Sequence, residues 1–251
     1  MTKYIDPSAK IGQRTKLGHN CIIENDVVIG KDCLLGHNVI IHEGSKVGDS
    51  VRIDDNTIIG KQPLFSPRSI FKKDKFEPSL IGNDCLIGAN VIIYVGCSIG
   101  KKNLIADLST IRENVEIKDI NIIGRNVTIE NFVSIGSRNK FETNAYITAY
   151  SKVEDYCFIA PAVATSNDNY MGRDKERYKH FKGVTIKKGG RIGVNSTILP
   201  GKVIEEDGMV AAGSIVTEDV PKQKIVLGSP AKFYDKVNEK QLLKNNLDKK
   251  K

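Results

Sequence analysis

Two carboxylates, Asp107 and Glu113, stand one hexad apart in the segment ADLSTIREN. A carboxylate set beside a reacting group can take its proton as a general base, worth about 10²–10⁴ in rate. Two other segments mix aromatic rings with Arg and Lys. The first, about residues 61–80 (KQPLFSPRSIFKKDKFEPSL), holds Phe65, Arg68 and Phe71; the second, about residues 166–183 (SNDNYMGRDKERYKHFKG), holds Tyr170, Arg173, Arg177, Tyr178 and His180. Rings beside guanidinium groups suit a nucleobase face next to a phosphate. Packing against a neighbouring subunit is the plainer use of either segment. Three more histidines, His19, His37 and His42, lie early in the chain, the first two separated by three hexads. Three imidazoles match a zinc set in number; surface or subunit-contact histidines are the reading preferred here.

What must position these groups is a repeat of six. An aliphatic residue recurs at every sixth position from Ile5 to Ile59, from Ile81 to Ile159 with Phe141 as the one exchange, and from Ile186 to Val216. A helix repeats at 3.6 and a strand at 2, so neither gives this period. A β-helix of hexapeptides does, each unit being one short strand and one corner. Calling the aliphatic position i, Gly falls often at i+1 (Gly12, Gly18, Gly82, Gly193), read here as corners that need positive φ. Small residues fall at i+4, including all five cysteines, Cys21, Cys33, Cys85, Cys97 and Cys157. Three hexads make one coil, and thirty hexads make about ten coils. The expected class is all-β: a parallel β-helix over 1–221, with extruded loops at about 61–80 and 166–183. A C-terminal segment over 222–251 follows, with a short helix over Asp235–Leu247 and a basic tail.

Composition narrows the partners. The formal net charge is +8, and half of it lies between Lys232 and Lys251. A cationic excess suits anionic small molecules. The chain has no Trp, few aromatic residues and no basic run interleaved with rings, which argues against nucleic acid. No apolar run of membrane-spanning length and no signal peptide are seen, and the inward cysteines show no C-x-x-C spacing. A cytoplasmic protein without a metal is expected.

With the hexad frame in place, the chain resembles the left-handed β-helix acyltransferases of the hexapeptide-repeat superfamily. ADLSTIREN (106–114), SNDNYMGRDKERYKHFKGVTIKKGGRIGVNSTILPG (166–201), VAAGSIVTEDVP (210–221) and IVLGSPAK (225–232) look like the bacterial enzymes that N-acylate dTDP-linked 3-amino-3,6-dideoxy or 4-amino-4,6-dideoxy hexoses. The resemblance implies the left hand of the coil and a homotrimer with acetyl-CoA and the dTDP-amino sugar in clefts between subunits. It also implies a role in surface polysaccharide synthesis, with no metal, no nucleic acid and no membrane. It further implies coenzyme contacts at Ala212, Gly213 and Lys232.

For the chemistry, the sugar amine must lose a proton and meet a thioester carbonyl. Glu113 is the expected base and Asp107 its partner. Both sit at i+2 of consecutive hexads, on different faces of one coil, so they can meet only across a threefold interface. The Glu113 column continues at Asn131 and reaches Asn167 at the root of the second loop, so Asn131, Asn167, Tyr170 and Arg68 are the expected substrate contacts. A salt bridge from Asp107 to Arg125 and a ladder from Glu113 to Asn131 are the structural alternatives. Two other functions stay open: a γ-class carbonic-anhydrase-like metalloprotein built on His19, His37 and His42, and a non-catalytic β-helix scaffold.

Overall fold

The structure is a computed structural model that describes residues 4–67 and 75–247. Most hexads form a strand of two residues, as at Ile22–Ile23 and Leu86–Ile87. The strand alternation sends residue i inward and residue i−1 outward. Ile23, Ile41, Ile59 and Ile93 stack in this way at full burial. Strands pair in parallel with the strand three hexads on, which sets Ile22 beside Ile40 and Ile23 beside Ile41. The aliphatic columns keep this register across both loops, with one shift between Ile59 and Lys61 where the first loop leaves. Ile59 pairs with Ile93 across the first, and Val153 with Ile186 across the second.

The chain divides into two compact units, residues 1–126 and 127–251. In the first, strands fall in turn on three faces. The first face runs from Tyr4–Ile5 to Thr110–Ile111, the second from Lys10–Ile11 to Glu116–Ile117, and the third from Lys16–Leu17 to Ile122–Ile123. In the second unit strands again fall in turn on three faces, which begin at Thr128–Ile129, Ser134–Ile135 and Lys140–Phe141. The all-β parallel solenoid expected from the repeat is therefore present. It runs slightly past the expected ten coils, because Thr165 fills an aliphatic slot in the strand Ala164–Thr165. Thr165 Oγ1 satisfies itself there by donating to Tyr146 O at 3.1 Å and accepting from Thr148 N at 2.8 Å.

The glycine reading needs correction. The left-handed residue of the hexad is i+3, not i+1: Asn20, Asp26, Asp32, Asn38 and Asn56 all have φ between 55° and 59°. Asn and Asp tolerate that region best after Gly, yet Leu108, Ile120, Phe132 and Tyr150 adopt it as well. Gly at i+1 answers a different demand, close approach between coils. A Cβ on Gly82 would lie 2.6 Å from Gly100 C and 2.7 Å from its O.

The i+4 slot is also more specific than small and apolar. Thr15 Oγ1 donates to Gly30 O at 2.7 Å, Thr57 Oγ1 to Gly88 O at 2.7 Å, and Ser109 Oγ to Gly124 O at 2.9 Å. Cysteine thiols occupy the same slot, Cys97 Sγ lying 3.0 Å from Arg112 O and Cys85 Sγ 3.1 Å from Gly100 O. All five cysteines are free and buried. Burial pushes the thiols of Cys97 and Cys157 up to about 12, so both are unreactive at neutral pH.

The expected C-terminal helix is not formed. Lys224–Gly228 joins the third face in parallel with Met209–Val210, and Ala231–Lys236 folds back on it antiparallel. Two short 3₁₀ turns follow, Glu239–Gln241 and Leu243–Asn245. The reason lies in three asparagines whose side chains take local backbone groups. Asn238 accepts from Lys240 N at 2.9 Å, Asn245 donates to Glu239 O at 2.7 Å, and Asn246 donates to Lys240 O at 2.8 Å. Val237 and Leu242 are still buried, as the apolar side of the segment requires.

Because the atoms facing Gly82 are backbone, they cannot swing aside. Gly82→Ala should cost about 1–3 kcal/mol in chemical denaturation, the usual penalty of overpacking. Asn90→Gly, at a left-handed i+3 position, should stay near neutral. Equal effects would refute the division of labour between i+1 and i+3.

Candidate functional site

The corners differ in what they do with position i+2. After the second and third faces, an i+2 carboxylate accepts from the i+2 backbone N–H of the coil before. Asp49 takes Lys31 N at 3.0 Å, Asp55 takes His37 N at 2.6 Å, Asp119 takes Lys101 N at 2.9 Å and Asp155 takes Ser137 N at 2.7 Å. Asp107 does the same with Ala89 N at 2.9 Å. The carboxylate expected to partner Glu113 is thus one of a structural series, and we assign it to the corner. His37 plays this part through a ring nitrogen, Nδ1 accepting from His19 N at 2.9 Å with the two rings stacked 5.0 Å apart.

After the first face the pattern changes. Glu113 is only 3 % exposed, and a buried carboxylate must be paired. Its partner is Arg112, whose Nε reaches Oε2 at 2.9 Å and Nη2 reaches Oε1 at 3.1 Å. The guanidinium lies over the Tyr94 ring, 4.8 Å from its centroid, and Lys61 Nζ stands 5.1 Å from the same centroid. One bidentate fork and one aromatic platform therefore fix the carboxylate.

The first loop leaves and returns beside this cluster. Val95 N donates to Lys61 O at 3.1 Å and Gly96 N to Glu77 O at 2.7 Å, so both legs are tied to the corner that follows the strand Ile92–Tyr94. Phe65 and Phe76 stack at 6.5 Å between the legs. A cavity of about 460 Å³ opens at the root, lined among others by Glu43, Gln62, Lys75 and Glu77. Arg68, expected to contact substrate, and Phe71, one of the loop's aromatic rings, lie outside the described residues.

Lower on the same face is a pair that the sequence reading left unconnected. His42 Nδ1 lies 3.1 Å from Glu24 Oε1, and Glu24 Oε2 accepts from Glu43 N at 3.0 Å. A histidine held at Nδ1 by a carboxylate offers Nε2 for proton transfer. The signal was present: the two residues are three hexads apart, both at i+1. Residue type alone groups His42 with His19 and His37 instead. Those two belong to the third face, and His37 uses Nδ1 as an acceptor, which leaves its proton on Nε2 and no lone pair for a metal. Among the described residues no group of three or more His, Cys, Asp or Glu is placed to hold a metal ion.

In the second unit the loop after Ser166 is organised by Asp168. Its carboxylate accepts from Tyr170 N at 2.8 Å, Gly172 N at 3.1 Å and Arg177 Nη1 at 2.8 Å. Burial alone would push this carboxyl up, but the two N–H groups and the guanidinium outweigh it and hold it below the ordinary range. Tyr170 stacks on His180 with centroids 5.8 Å apart, and Arg177 lies over Tyr178 and Phe181. Asn167 O accepts from Lys182 N at 3.2 Å, closing the root of the loop. Asn131 is buried, and its Nδ2 finds no hydrogen-bond partner among the described residues.

The remaining expected contacts are dispersed. Ala212 and Gly213 form an exposed corner after the third face; Gly213 has φ 69° and open space where a Cβ would lie, though its N–H already serves Val194 O. Lys232, on the returning C-terminal strand, pairs with Glu218 at 2.8 Å.

Known proteins share these repeats. The family described as bacterial transferase hexapeptide (six repeats) matches residues 8–42, and the hexapeptide repeat of succinyl-transferase matches residues 26–61 and 78–106. The chain is 45% identical over 53 residues to the dTDP-3-amino-3,6-dideoxy-alpha-D-galactopyranose 3-N-acetyltransferase of Aneurinibacillus thermoaerophilus, covering 21% of this chain and 28% of that one. It is 35% identical over 63 residues to the mitochondrial gamma carbonic anhydrase 2 of Arabidopsis thaliana, covering 24% of this chain and 23% of that one. The matches thus span 28% or less of these two relatives' own lengths. A solved Arabidopsis UDP-N-acetylglucosamine acyltransferase superposes with a TM-score of 0.63 at 20% identity, over 98% of this chain and 76% of that one, a likeness of fold.

Asp168 generates a direct test. A carboxyl depressed in the folded state adds stability above its ordinary pKa, and that stability drains away as pH falls through the folded value. Asp168→Asn should make the bonds after Arg173 and Arg177 several-fold more sensitive to trypsin at pH 8. The wild-type loop should loosen only on acidification below about pH 4. Unchanged cleavage in the variant would remove Asp168 as the organising group.

Proposed function

We propose that the protein is an acetyl-CoA-dependent N-acetyltransferase acting in the cytoplasm on the C-3 or C-4 amine of a dTDP-linked amino-dideoxyhexose, for surface polysaccharide synthesis. The hexapeptide repeats and the stretch shared with a dTDP-amino sugar N-acetyltransferase support the class. The observation that carries it is the contrast between corners. Asp107 and its like cap backbone, whereas the carboxylate of Glu113 is buried, oriented by Arg112 and set beside the root of a loop.

The chemistry asks for one proton transfer and one displacement. A neutral sugar amine attacks the thioester carbonyl, the N–C bond forms, and the C–S bond breaks. The nitrogen's proton passes to a base and from there to the departing thiolate of coenzyme A. Glu113 is the proposed base, with Arg112 fixing the direction of its lone pairs. Holding amine and thioester together contributes as much or more. Tyr170, Asn167, Asn131 and Arg68 are proposed for the sugar nucleotide. Ala212, Gly213 and Lys232 are proposed for the coenzyme, with Lys232 exchanging Glu218 for a phosphate.

The outward residues support the further proposal of a homotrimer with sites between subunits. In the first unit those residues are Tyr4, Ile22, Ile40, Ile58, Ile92 and Thr110 on the first face, Lys16, Leu34, Arg52, Leu86, Leu104 and Ile122 on the third, and Lys10, Val28, Lys46, Leu80, Ser98 and Glu116 on the second. Two faces richer in exposed aliphatic residues and one more polar face suit threefold packing, in which one face of each copy meets a different face of the next. Leu104→Lys should convert trimer to monomer in light scattering and abolish activity together. A variant that stays trimeric would remove the third face from the interface.

The His42–Glu24 pair favours a second assignment of the base within the same reaction. Thiol release from acetyl-CoA with a panel of dTDP- and UDP-amino sugars tests the function, and two variants separate the bases. If Glu113 is the base, Glu113→Gln should lower kcat by about 10²-fold or more with KM values kept, and His42→Asn should change little. The opposite pattern would transfer the role to His42. No thiol release with any amino sugar would sink the reading.

A further inference from the structure

In the second unit, the corner after the second face holds a cavity of about 430 Å³ that no part of the proposed reaction uses. Tyr156, Arg191, Asp207, Lys240 and Gln241 line it. The C-terminal turns form its outer wall: Leu243 N donates to Asp207 Oδ1 at 3.0 Å, and Leu242 is buried beneath.

The guanidinium of Arg191 is the unusual group. Nη1 donates to Gln241 Oε1 at 3.3 Å, while Nε and Nη2 are buried and have no hydrogen-bond partner among the described residues. An unmatched buried donor is costly, more so when charged. These two nitrogens form one edge of the guanidinium, the edge that grips two oxygens at once. In two other arginines the same edge is filled. Arg112 sets Nε and Nη2 on the two oxygens of Glu113, and Arg14 sets them on the two oxygens of Asp32 at 2.5 and 2.7 Å. At Arg191 the described residues supply no such oxyanion. The one carboxylate in the lining, Asp207, has Oδ1 committed to the backbone.

The surroundings are cationic. Lys240 joins Arg191 in the lining, and the Tyr156 ring has Arg138 at 5.7 Å and Lys188 at 5.9 Å from its centroid. We propose that this cavity binds a phosphate-class oxyanion: two oxygens on the Nε–Nη2 edge of Arg191, and Lys240 as the second charge. The ligand is free pyrophosphate or the phosphate groups of a nucleotide or of coenzyme A.

Calorimetric titration of the full chain with pyrophosphate, dTDP and coenzyme A tests this. The wild type should bind at least one of them. Arg191→Gln should weaken that binding by about tenfold or more, as expected for losing a bidentate charged contact. Lys240→Ala, at an exposed position that the fold does not need, should weaken it too. Lys46→Ala, on the other unit, should leave it unchanged. Binding of dTDP or coenzyme A in preference to pyrophosphate would identify the source of the phosphate. No binding by the wild type at millimolar ligand, full binding by both cavity variants, or an equal loss in Lys46→Ala would overturn the proposal. The titrations need no turnover, so their failure is distinct from a failure of acetyl transfer.

Discussion

Everything in this molecule is governed by the close stacking of one coil on the next at a register of three hexads. Each residue has its neighbour one coil on in the same column, so a side chain is chosen for what stands above and below it. Glycine appears where backbones nearly touch, as at Gly82 against Gly100. Hydroxyls, amides and thiols at i+4 close the carbonyls left over at corners, as Thr57 does for Gly88. Aspartates at i+2 close the N–H groups. The aliphatic column is the most visible part of the pattern, but the polar columns keep the corners satisfied.

Against that background, function shows as a polar residue that does not serve its column. Glu113 turns to Arg112 rather than to backbone. His42 is held by Glu24, and Arg191 keeps an unfilled edge. Asp107 looked equally promising by spacing and residue type, yet it serves its column as its neighbours do. Composition cannot separate the two carboxylates; the partner of each one does.

The fold was legible in the chain because period six has few structural solutions and the aliphatic column is nearly unbroken. Thr165 escaped because a threonine can fill an aliphatic slot once its hydroxyl finds a carbonyl. The corner glycines were found but misexplained: close approach and positive φ both select Gly, and only the dihedral angles distinguish them. The terminal helix failed because its apolar spacing was right while three asparagines competed for its backbone. The site was half legible. The importance of the first corner could be seen, but the pairing of His42 with Glu24 needed the column, not the local motif. The orphaned edge of Arg191 has no trace in the sequence.

The returning strand Ala231–Lys236 has a consequence for how this protein behaves in a crowded solution. A solenoid ends in open rungs whose N–H and C=O groups are a template for another chain, and stacked end to end such rungs would grow into a fibre. Here the last rung of the third face, Lys224–Gly228, is already paired, and in the antiparallel sense, which the parallel stack cannot extend. The outer edge it presents carries Lys232, Asp235 and Lys236, charges that repel a second edge. A strand that adds little to the core thus closes the third face: it blocks, at that edge, a stacking that the repeat would otherwise permit.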